Sequence, residues 1–188
     1  MPLYFTLVRL FPTGPEISLR LPSMLAGLSG IAFMIGIVLR LHKNYTLALL
    51  AGALLAFNPF HIWYSRMARP YALLFLLSLL VSYFFLVLLR GNRSRIVWIG
   101  FLLSSVAVYL THYFAAALPI AQYILFAFIL RGHRGFFRRW IIVQAVAVVP
   151  VLVWLYALAQ QPVVAMNIVW IPRPSLNDLV LTIWNMTL

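Results

Sequence analysis

Long apolar segments recur through this chain, and they limit its possible folds more than any other feature. Each run of about 17 to 20 residues, bounded by Arg, Lys, Asn or Pro, matches the roughly 30 Å hydrocarbon core of a bilayer at 1.5 Å of rise per helical residue. Of the 188 residues, 65% are hydrophobic and 9% are charged, which leaves too little polar surface for a water-soluble globule. The sequence therefore predicts an integral membrane protein.

The membrane-spanning elements are predicted to be helices, because the apolar runs do not alternate with polar residues as barrel strands do. At the start of the chain, Leu3, Leu7 and Leu10 lie near one helical face, which predicts a helix along the membrane surface. The predicted fold class is thus all-α, a polytopic transmembrane protein of about six to seven spans plus an N-terminal interfacial helix. The predicted spans cover about 22–40, 46–62, 71–89, 96–112, 115–130 and 140–158, with a seventh beginning near 177.

The last apolar segment, DLVLTIWNMTL, stops at Leu188 and is too short to cross a bilayer. We therefore expect residues 1–188 to form a single transmembrane module that is a fragment of a longer protein.

The basic residues are concentrated in three short loops and predict the orientation of the chain. The net charge is +12, from 14 Lys and Arg against two acidic residues. Loops 40–44, 90–95 and 131–139 hold nine of these 14 cations, and the positive-inside rule places them in the cytoplasm. Their charge sets topology and contacts anionic lipid headgroups, so no nucleic acid partner is predicted.

The other connections then lie on the extracytoplasmic face, where NPFHIWYSRMARPYALL (58–74) concentrates polar and aromatic residues. Pro59 and Pro70 should interrupt the helices and leave a broken or re-entrant connection. Arg66 and Arg69, three residues apart, would point the same way on a helical turn, and their forked donors suit a phosphate. The alternative is an interfacial aromatic belt whose arginines bind headgroups.

Acid–base and metal-binding groups are scarce in this sequence. Glu16 and Asp178 are the only acidic residues, so a general base would have to be one of them or a histidine. A position at a helix N-terminus explains either acid equally well. Cysteine is absent and the four histidines are isolated, so no metal site is predicted and no catalytic residue is assigned.

Three segments, taken in order, resemble a known family. They are PLYFTLVRLF followed by PEISLRLPSMLAGLSGIA, then NPFHIWYSRMARPYALLFLLSLL, then YLTHYFAAALPIAQ. This order resembles the integral-membrane C-type (GT-C) glycosyltransferases, specifically the dolichyl-phosphate-mannose-dependent, protein O-mannosyltransferase-like group, over nearly the whole chain. The resemblance implies a GT-C fold in the plasma membrane of a bacterium or archaeon. It also implies a polyprenyl-phosphate sugar donor and an acceptor, unidentified here, that is reached from the outer face.

The resemblance extends to individual residues. Ser65, Arg69 and Tyr71 match a segment that the family commonly writes as Ser-Gln-Glu-Ala-Arg-Pro/Met-Tyr-Ala-Leu, whereas Met67 stands where an acid is frequent. The segment 111–114, Thr-His-Tyr-Phe, carries over fully. Arg66 and Arg69 are therefore predicted to bind the donor phosphate. The residues predicted to line the substrate cavity are His61, Tyr64, Ser65, Tyr71, His112 and Tyr113.

One departure from the family concerns its acidic motif. The family's first span and first outer loop carry a carboxylate that acts as general base or binds a metal, and they precede a His-Pro-Pro-Leu-Tyr segment. Only Pro2, Leu3 and Tyr4 of that segment are present here. We therefore expect a fragment without that loop that is inactive alone, and any divalent metal would belong to the full-length protein.

The predicted function is transfer of a hexose or pentose from a polyprenyl-phosphate donor to an acceptor outside the membrane. A non-catalytic lipid-phosphate-binding or flippase-like component is the main alternative, since it would use the same arginines and need no base. A transporter would place an ionisable residue near mid-membrane or show an internal repeat. The central turns of the predicted spans hold no acidic, basic or histidine residue, which disfavours that class.

Overall fold

The computed structural model describes residues 2–11, 16–128 and 134–161, together with Ser175, Asn177, Asp178 and Leu181. These residues are largely helical and contain no strand, so the predicted all-α class is confirmed. The predicted seventh span lies mostly outside the described ranges. The elements are α1 Pro2–Arg9, α2 Glu16–His42, α3 Tyr45–Ala56, α4 Pro59–Arg66, α5 Tyr71–Leu89, α6 Arg95–Thr111, a 3-10 helix Tyr113–Ala116, α7 Ala117–Phe128 and α8 Arg134–Ala159.

Three helices within the described ranges are long and apolar enough to cross a membrane, namely α2, α5 and the Gly135–Ala159 part of α8. A fourth span results if α3 and α4, bent by 59° at their junction, are counted together. The α6 helix and the Tyr113–Ala127 run are also apolar but shorter. The helices of the described ranges thus follow the predicted order of spans, and three or four of them are long enough to cross a membrane.

The predicted helix over 46–62 is wrong as a continuous element. Helix α3 ends at Ala56 and α4 begins at Pro59, whose missing N–H is tolerated in the first helical turn. The Asn58 side chain caps α4 by accepting a hydrogen bond from the His61 backbone N–H at 3.0 Å. The second proline, Pro70, occupies the N-cap position of α5. The connection between α3 and α5 is therefore broken at both prolines, as predicted.

Contacts between the described parts of the three basic loops confirm that these parts lie at one end of the helices. The Arg90 guanidinium donates to the Leu41 carbonyl at 3.2 Å, which joins loop 90–95 to loop 40–44. The Arg93 guanidinium lies 5.6 Å from the ring centroid of Phe136, near the start of α8. That this end faces the cytoplasm remains a prediction.

Helix α2 is the central element, and it packs against α3, α4 and α5, while α5 also packs against α6. The predicted N-terminal helix is present as α1, and it contacts α6 and α2. Its Tyr4 is only 1% exposed, whereas Leu10, just beyond the helix, is 74% exposed. The face that α1 buries within the protein is therefore centred on Tyr4.

Aromatic packing and a short polar network connect α5, α6, α7 and α8. The rings of Phe85, Phe126 and Phe136 form edge-to-face and tilted contacts in the buried core. Beside them, the Gln122 side-chain oxygen accepts from the Trp140 indole at 2.7 Å and from the Gln144 amide at 3.3 Å. Each such bond between apolar helices contributes on the order of 1 kcal/mol.

The chain divides into two compact units, residues 1–152 and 153–188. All residues of the candidate site lie in the first unit. In the second, the Asp178 carboxylate accepts hydrogen bonds from the Ser175 backbone N–H at 2.7 Å and from its hydroxyl at 2.8 Å.

Candidate functional site

Helix α4 is held closely against α2 by contacts at one glycine. The His61 ring Nε2 lies 3.2 Å from the Gly27 carbonyl oxygen, which can only accept, so Nε2 carries the proton. Ser65 bonds back to the His61 carbonyl at 2.6 Å. A Cβ on Gly27 would lie 2.2 Å from the Ser65 hydroxyl oxygen, so only glycine permits this approach. The position of the last turn of α4 therefore depends on Gly27.

The connection from Met67 to Pro70 is attached to α2 one turn earlier. The Ser23 hydroxyl donates to the Arg69 carbonyl at 3.0 Å, and the Tyr4 hydroxyl lies 2.8 Å from the Ser23 oxygen. Met67 has an extended backbone, with φ −85° and ψ 140°, so α4 ends at Arg66. The predicted helical turn shared by Arg66 and Arg69 is therefore wrong.

Both arginines nevertheless line one cavity of about 530 Å³. Its walls come from the start of α2, the end of α4 and the connection that follows. We call it the arginine cavity, and its principal lining residues are Glu16, Arg20, Trp63, Arg66, Met67 and Arg69. It belongs to the end of the helix bundle that the sequence predicts to be extracytoplasmic.

The arginine cavity carries an excess of positive charge. Glu16 and Arg20, four residues apart in the first turns of α2, form an ion pair. Within the described ranges, the guanidiniums of Arg66 and Arg69 have no ion pair and no hydrogen bond. Three cations therefore face one carboxylate, and the two unpaired ones would bind an anion.

Four aromatic rings form a continuous row from α4 across α5 to the end of α6. The ring of Tyr64 lies 4.8 Å from that of Tyr71, which in turn lies 5.3 Å from the imidazole of His112. The Tyr113 ring is 4.3 Å from His112 and is 69% exposed. We call these four residues the aromatic row. They bring together the segments 58–74 and 111–114 that are separate in sequence.

A second, apolar cavity of about 300 Å³ adjoins the far end of the aromatic row. His112 and Tyr113 line it together with residues of α6, α7 and α8. The polar groups on its wall are partly satisfied, because the Tyr109 hydroxyl donates to the Gln144 side-chain oxygen at 2.5 Å. This apolar cavity would accept hydrocarbon rather than charge.

A sequence model of the family described as dolichyl-phosphate-mannose-protein mannosyltransferase matches residues 4–159, more than four fifths of the chain. The chain belongs to this family. It is thus a membrane glycosyltransferase of the mannosyltransferase type. The family resemblance found in the sequence is confirmed. Searches of curated proteins and of solved structures each returned no match.

The range matched by the mannosyltransferase family contains both cavities and the aromatic row. Of the residues predicted from the sequence, Arg66 and Arg69 lie in the arginine cavity, and the four members of the aromatic row lie together. His61 and Ser65 instead lie in the contact between α2 and α4 and line neither cavity. The assignment of all these residues to the donor stays a prediction.

Three residues that line the arginine cavity were not predicted from the sequence to belong to the site, namely Glu16, Arg20 and Trp63. Glu16 was interpreted as a residue at a helix N-terminus, which agrees with its place in the first turn of α2. The spacing of Glu16 and Arg20 is a signal for their ion pair. It does not, however, indicate which other helix they face.

The described residues contain no group of three or more His, Asp or Glu that could hold a metal ion. The carboxylate on the arginine cavity, Glu16, is engaged by Arg20. The residues present here thus do not fit a metal site, and no catalytic step is assigned to one.

His112 makes the stability of the protein depend on pH. Its side chain is 2% exposed, and its Nδ1 accepts a hydrogen bond from the Phe114 backbone N–H at 3.1 Å. Burial lowers the pKa of His112 below its ordinary value of about 6.5. The unfolded chain therefore binds the proton more readily, so the stabilisation is complete at neutral pH and is lost as pH falls below about 6.5.

We expect the midpoint of thermal unfolding in detergent to decrease between pH 7.5 and pH 5.5, and to decrease less for His112→Phe. The exposed His42 at the other end of the bundle gives the matched control, since His42→Phe should keep the wild-type pH dependence. Equal pH dependence in wild type and His112→Phe would contradict this assignment.

Proposed function

We propose that the arginine cavity binds the phosphate of a polyprenyl-phosphate-linked sugar and that the protein takes part in transferring this sugar to an acceptor on the extracytoplasmic face. The observation that carries the proposal is that two unpaired guanidiniums, those of Arg66 and Arg69, line one cavity. This cavity lies at the end of the helix bundle that the sequence predicts to be extracytoplasmic. The description of the family supports the choice of anion, because it names dolichyl phosphate mannose.

The chemistry of sugar transfer agrees with two fixed cations at this position. The lipid phosphate is the leaving group, and it gains negative charge as its bond to the anomeric carbon breaks. Guanidiniums already in place stabilise that charge in the transition state more than in the ground state. Arg69 and Arg66 would therefore contribute both to donor binding and to the departure of the lipid phosphate.

The remaining parts of the donor would use the surfaces beside the arginine cavity. Aromatic faces suit a sugar, which presents C–H groups on its ring faces and hydroxyls at its rim, and Tyr64 and Tyr71 also offer hydroxyl groups for hydrogen bonds. The apolar cavity beyond His112 would accept part of the isoprenoid chain. The donor would thus lie along the aromatic row, and the sugar would be a hexose or a pentose.

A second candidate function is lipid-phosphate binding without transfer, as in a flippase-like component. It is favoured by the state of Glu16, the carboxylate on the arginine cavity, whose ion pair with Arg20 opposes a role as general base. Met67 also lies on this cavity where the resemblance places an acid in many relatives. Such a component would need the two arginines and no base.

The test uses the full chain in lipid nanodiscs and measures displacement of a dansyl-labelled farnesyl phosphate by farnesyl phosphate and by farnesol. We expect a preference of more than about 100-fold for the phosphate, because each of the two guanidiniums contributes roughly 1.5 to 3 kcal/mol. Equal affinity for the alcohol would overturn the proposal.

Incubation of the same nanodiscs with dolichyl phosphate [³H]mannose separates the two candidate functions. Release of dolichyl phosphate together with transfer of labelled mannose to water or to an added acceptor supports a transferase. Because a chain without the family's acidic outer loop is expected to be inactive alone, the same incubation is repeated with a longer chain that includes this loop. Binding without release by that longer chain supports the second candidate.

A further inference from the structure

We propose that Tyr4 and Ser23 are positioning residues for Arg69, acting through a chain of two hydrogen bonds that ends on the Arg69 backbone. This inference rests on the proposed function, because it concerns the guanidinium assigned to the donor phosphate. It also accounts for the sequence segments around Pro2 to Tyr4 and Leu21 to Ser23, which carry the family resemblance and supply no group to the arginine cavity.

The direction of both hydrogen bonds follows from the atoms involved. A carbonyl oxygen only accepts, so the single hydroxyl proton of Ser23 is used on the Arg69 carbonyl at 3.0 Å. The Tyr4 hydroxyl must therefore donate to the Ser23 oxygen, 2.8 Å away. The side chains of Tyr4 and Ser23 are 1% and 0% exposed, so loss of either bond leaves a buried polar group without replacement by bulk water.

The backbone between the two helices depends on this chain of bonds. Residues 67–69 lie outside α4 and α5, so helical hydrogen bonds do not hold them. Within the described part of the chain, the Ser23 hydroxyl is the side-chain group that bonds to the backbone of this stretch. The bond ends on the carbonyl of Arg69 itself, so it fixes the orientation of the peptide group that follows the Arg69 Cα. The Arg69 side chain extends from this Cα, so the bond also helps to direct the guanidinium.

Arg66 is held in a different way, and this makes the inference specific. It ends α4, whose place on α2 is set by Gly27, His61 and Ser65 rather than by Ser23. Loss of the Tyr4 and Ser23 hydroxyls should therefore act on the contribution of Arg69 and leave that of Arg66 in place.

The experiment is a double-mutant cycle between Ser23→Ala and Arg69→Ala, read as displacement of dansyl-labelled farnesyl phosphate from the full chain in nanodiscs. Alone, Ser23→Ala should weaken farnesyl phosphate binding about three- to tenfold, the effect of one or two lost hydrogen bonds. Farnesol binding should not change, whereas a general loss of structure would weaken the binding of both farnesol and farnesyl phosphate. In the Arg69→Ala background, Ser23→Ala should have no further effect.

Two additional variants complete the design. Tyr4→Phe keeps the buried ring and removes only the hydroxyl, so it tests the same chain if Ser23→Ala does not fold. Ser78→Ala is the matched control, because the Ser78 hydroxyl bonds only within its own helix, to the Leu74 carbonyl at 2.7 Å. Its affinity for farnesyl phosphate should equal that of the wild type.

The outcomes separate this inference from the proposed function. If Arg69→Ala leaves farnesyl phosphate binding unchanged, the proposed function fails, and the positioning role fails with it. If Arg69→Ala weakens binding while Ser23→Ala and Tyr4→Phe do not, only the positioning role is overturned. It is overturned equally if the effects of Ser23→Ala and Arg69→Ala multiply as independent sites do.

Discussion

Replacing Arg69 with alanine is expected to weaken farnesyl phosphate binding about 10-fold to 100-fold, because a charge-assisted contact contributes roughly 1.5 to 3 kcal/mol. Arg69→Lys should fall between wild type and Arg69→Ala, since it keeps the charge and loses the planar fork that matches a phosphate. Farnesol, which lacks the phosphate, should bind all three proteins equally. Displacement titrations in nanodiscs measure these affinities.

Arg95→Ala is the matched control for Arg69→Ala. It removes the same charge from an exposed position at the opposite end of the bundle, where α6 begins. Its farnesyl phosphate affinity should equal that of the wild type. Raising the salt concentration should weaken wild-type binding more than Arg69→Ala binding, because screening acts on the charge that the variant lacks. Equal losses for Arg69→Ala and Arg95→Ala would show that only the net charge of the protein matters.

The arrangement of the helices could largely be predicted from the sequence because bilayer thickness and loop charge constrain it strongly. Segment lengths gave most helices to within a few residues, and the contact between Arg90 and Leu41 confirms that the basic loops share one end. The proline positions also predicted a broken connection between α3 and α5. What they could not give is the 59° bend between α3 and α4, which depends on how α4 packs against α2.

The placement of site residues was predicted only in part, and the reasons differ between residues. His61 and Ser65 look equivalent to Tyr64 in the sequence, yet they face α2 because Gly27 leaves space there. Arg66 and Arg69 do share a cavity, but through the extended backbone at Met67 rather than through a helical turn. Spacing therefore located the right segment, while the side-chain directions depended on tertiary contacts that no local pattern contains.

The hydroxyl chain from Tyr4 to Arg69 shows the same limit. Tyr4 and Ser23 are 19 residues apart in the sequence, and Ser23 and Arg69 are 46 residues apart. Neither spacing corresponds to a helical period, so no sequence pattern predicts these contacts. Family resemblance marks the three segments, but it does not say that they meet. Their contact follows from α1 packing against α2 and α6, which sequence reasoning had described as a helix on the membrane surface.

Gly27→Ala is expected to give the largest loss of stability among the substitutions considered, because its new Cβ would lie 2.2 Å from the Ser65 hydroxyl oxygen and 2.7 Å from the Ser65 Cβ. Either α4 moves away from α2 or the contact stays strained. Overpacking of this kind costs about 1 to 3 kcal/mol in the free energy of unfolding. The midpoint of thermal unfolding in detergent should fall by about 2 to 4 °C for each kcal/mol.

Gly36→Ala and a second-site change make this prediction specific to the α2–α4 contact. Gly36 lies in the same helix, and nothing lies within 4 Å of a Cβ built there. Gly36→Ala should therefore leave stability unchanged or raise it by up to about 1 kcal/mol, the difference in helix propensity. Ser65→Gly removes the two atoms, at 2.2 Å and 2.7 Å, that clash with the new Cβ of Gly27→Ala, so the double variant should recover most of the lost thermal stability. Because α4 carries Arg66, farnesyl phosphate affinity should fall in Gly27→Ala and recover in the double variant Gly27→Ala, Ser65→Gly. Equal unfolding midpoints for Gly27→Ala and Gly36→Ala would contradict the close contact of α4 with α2.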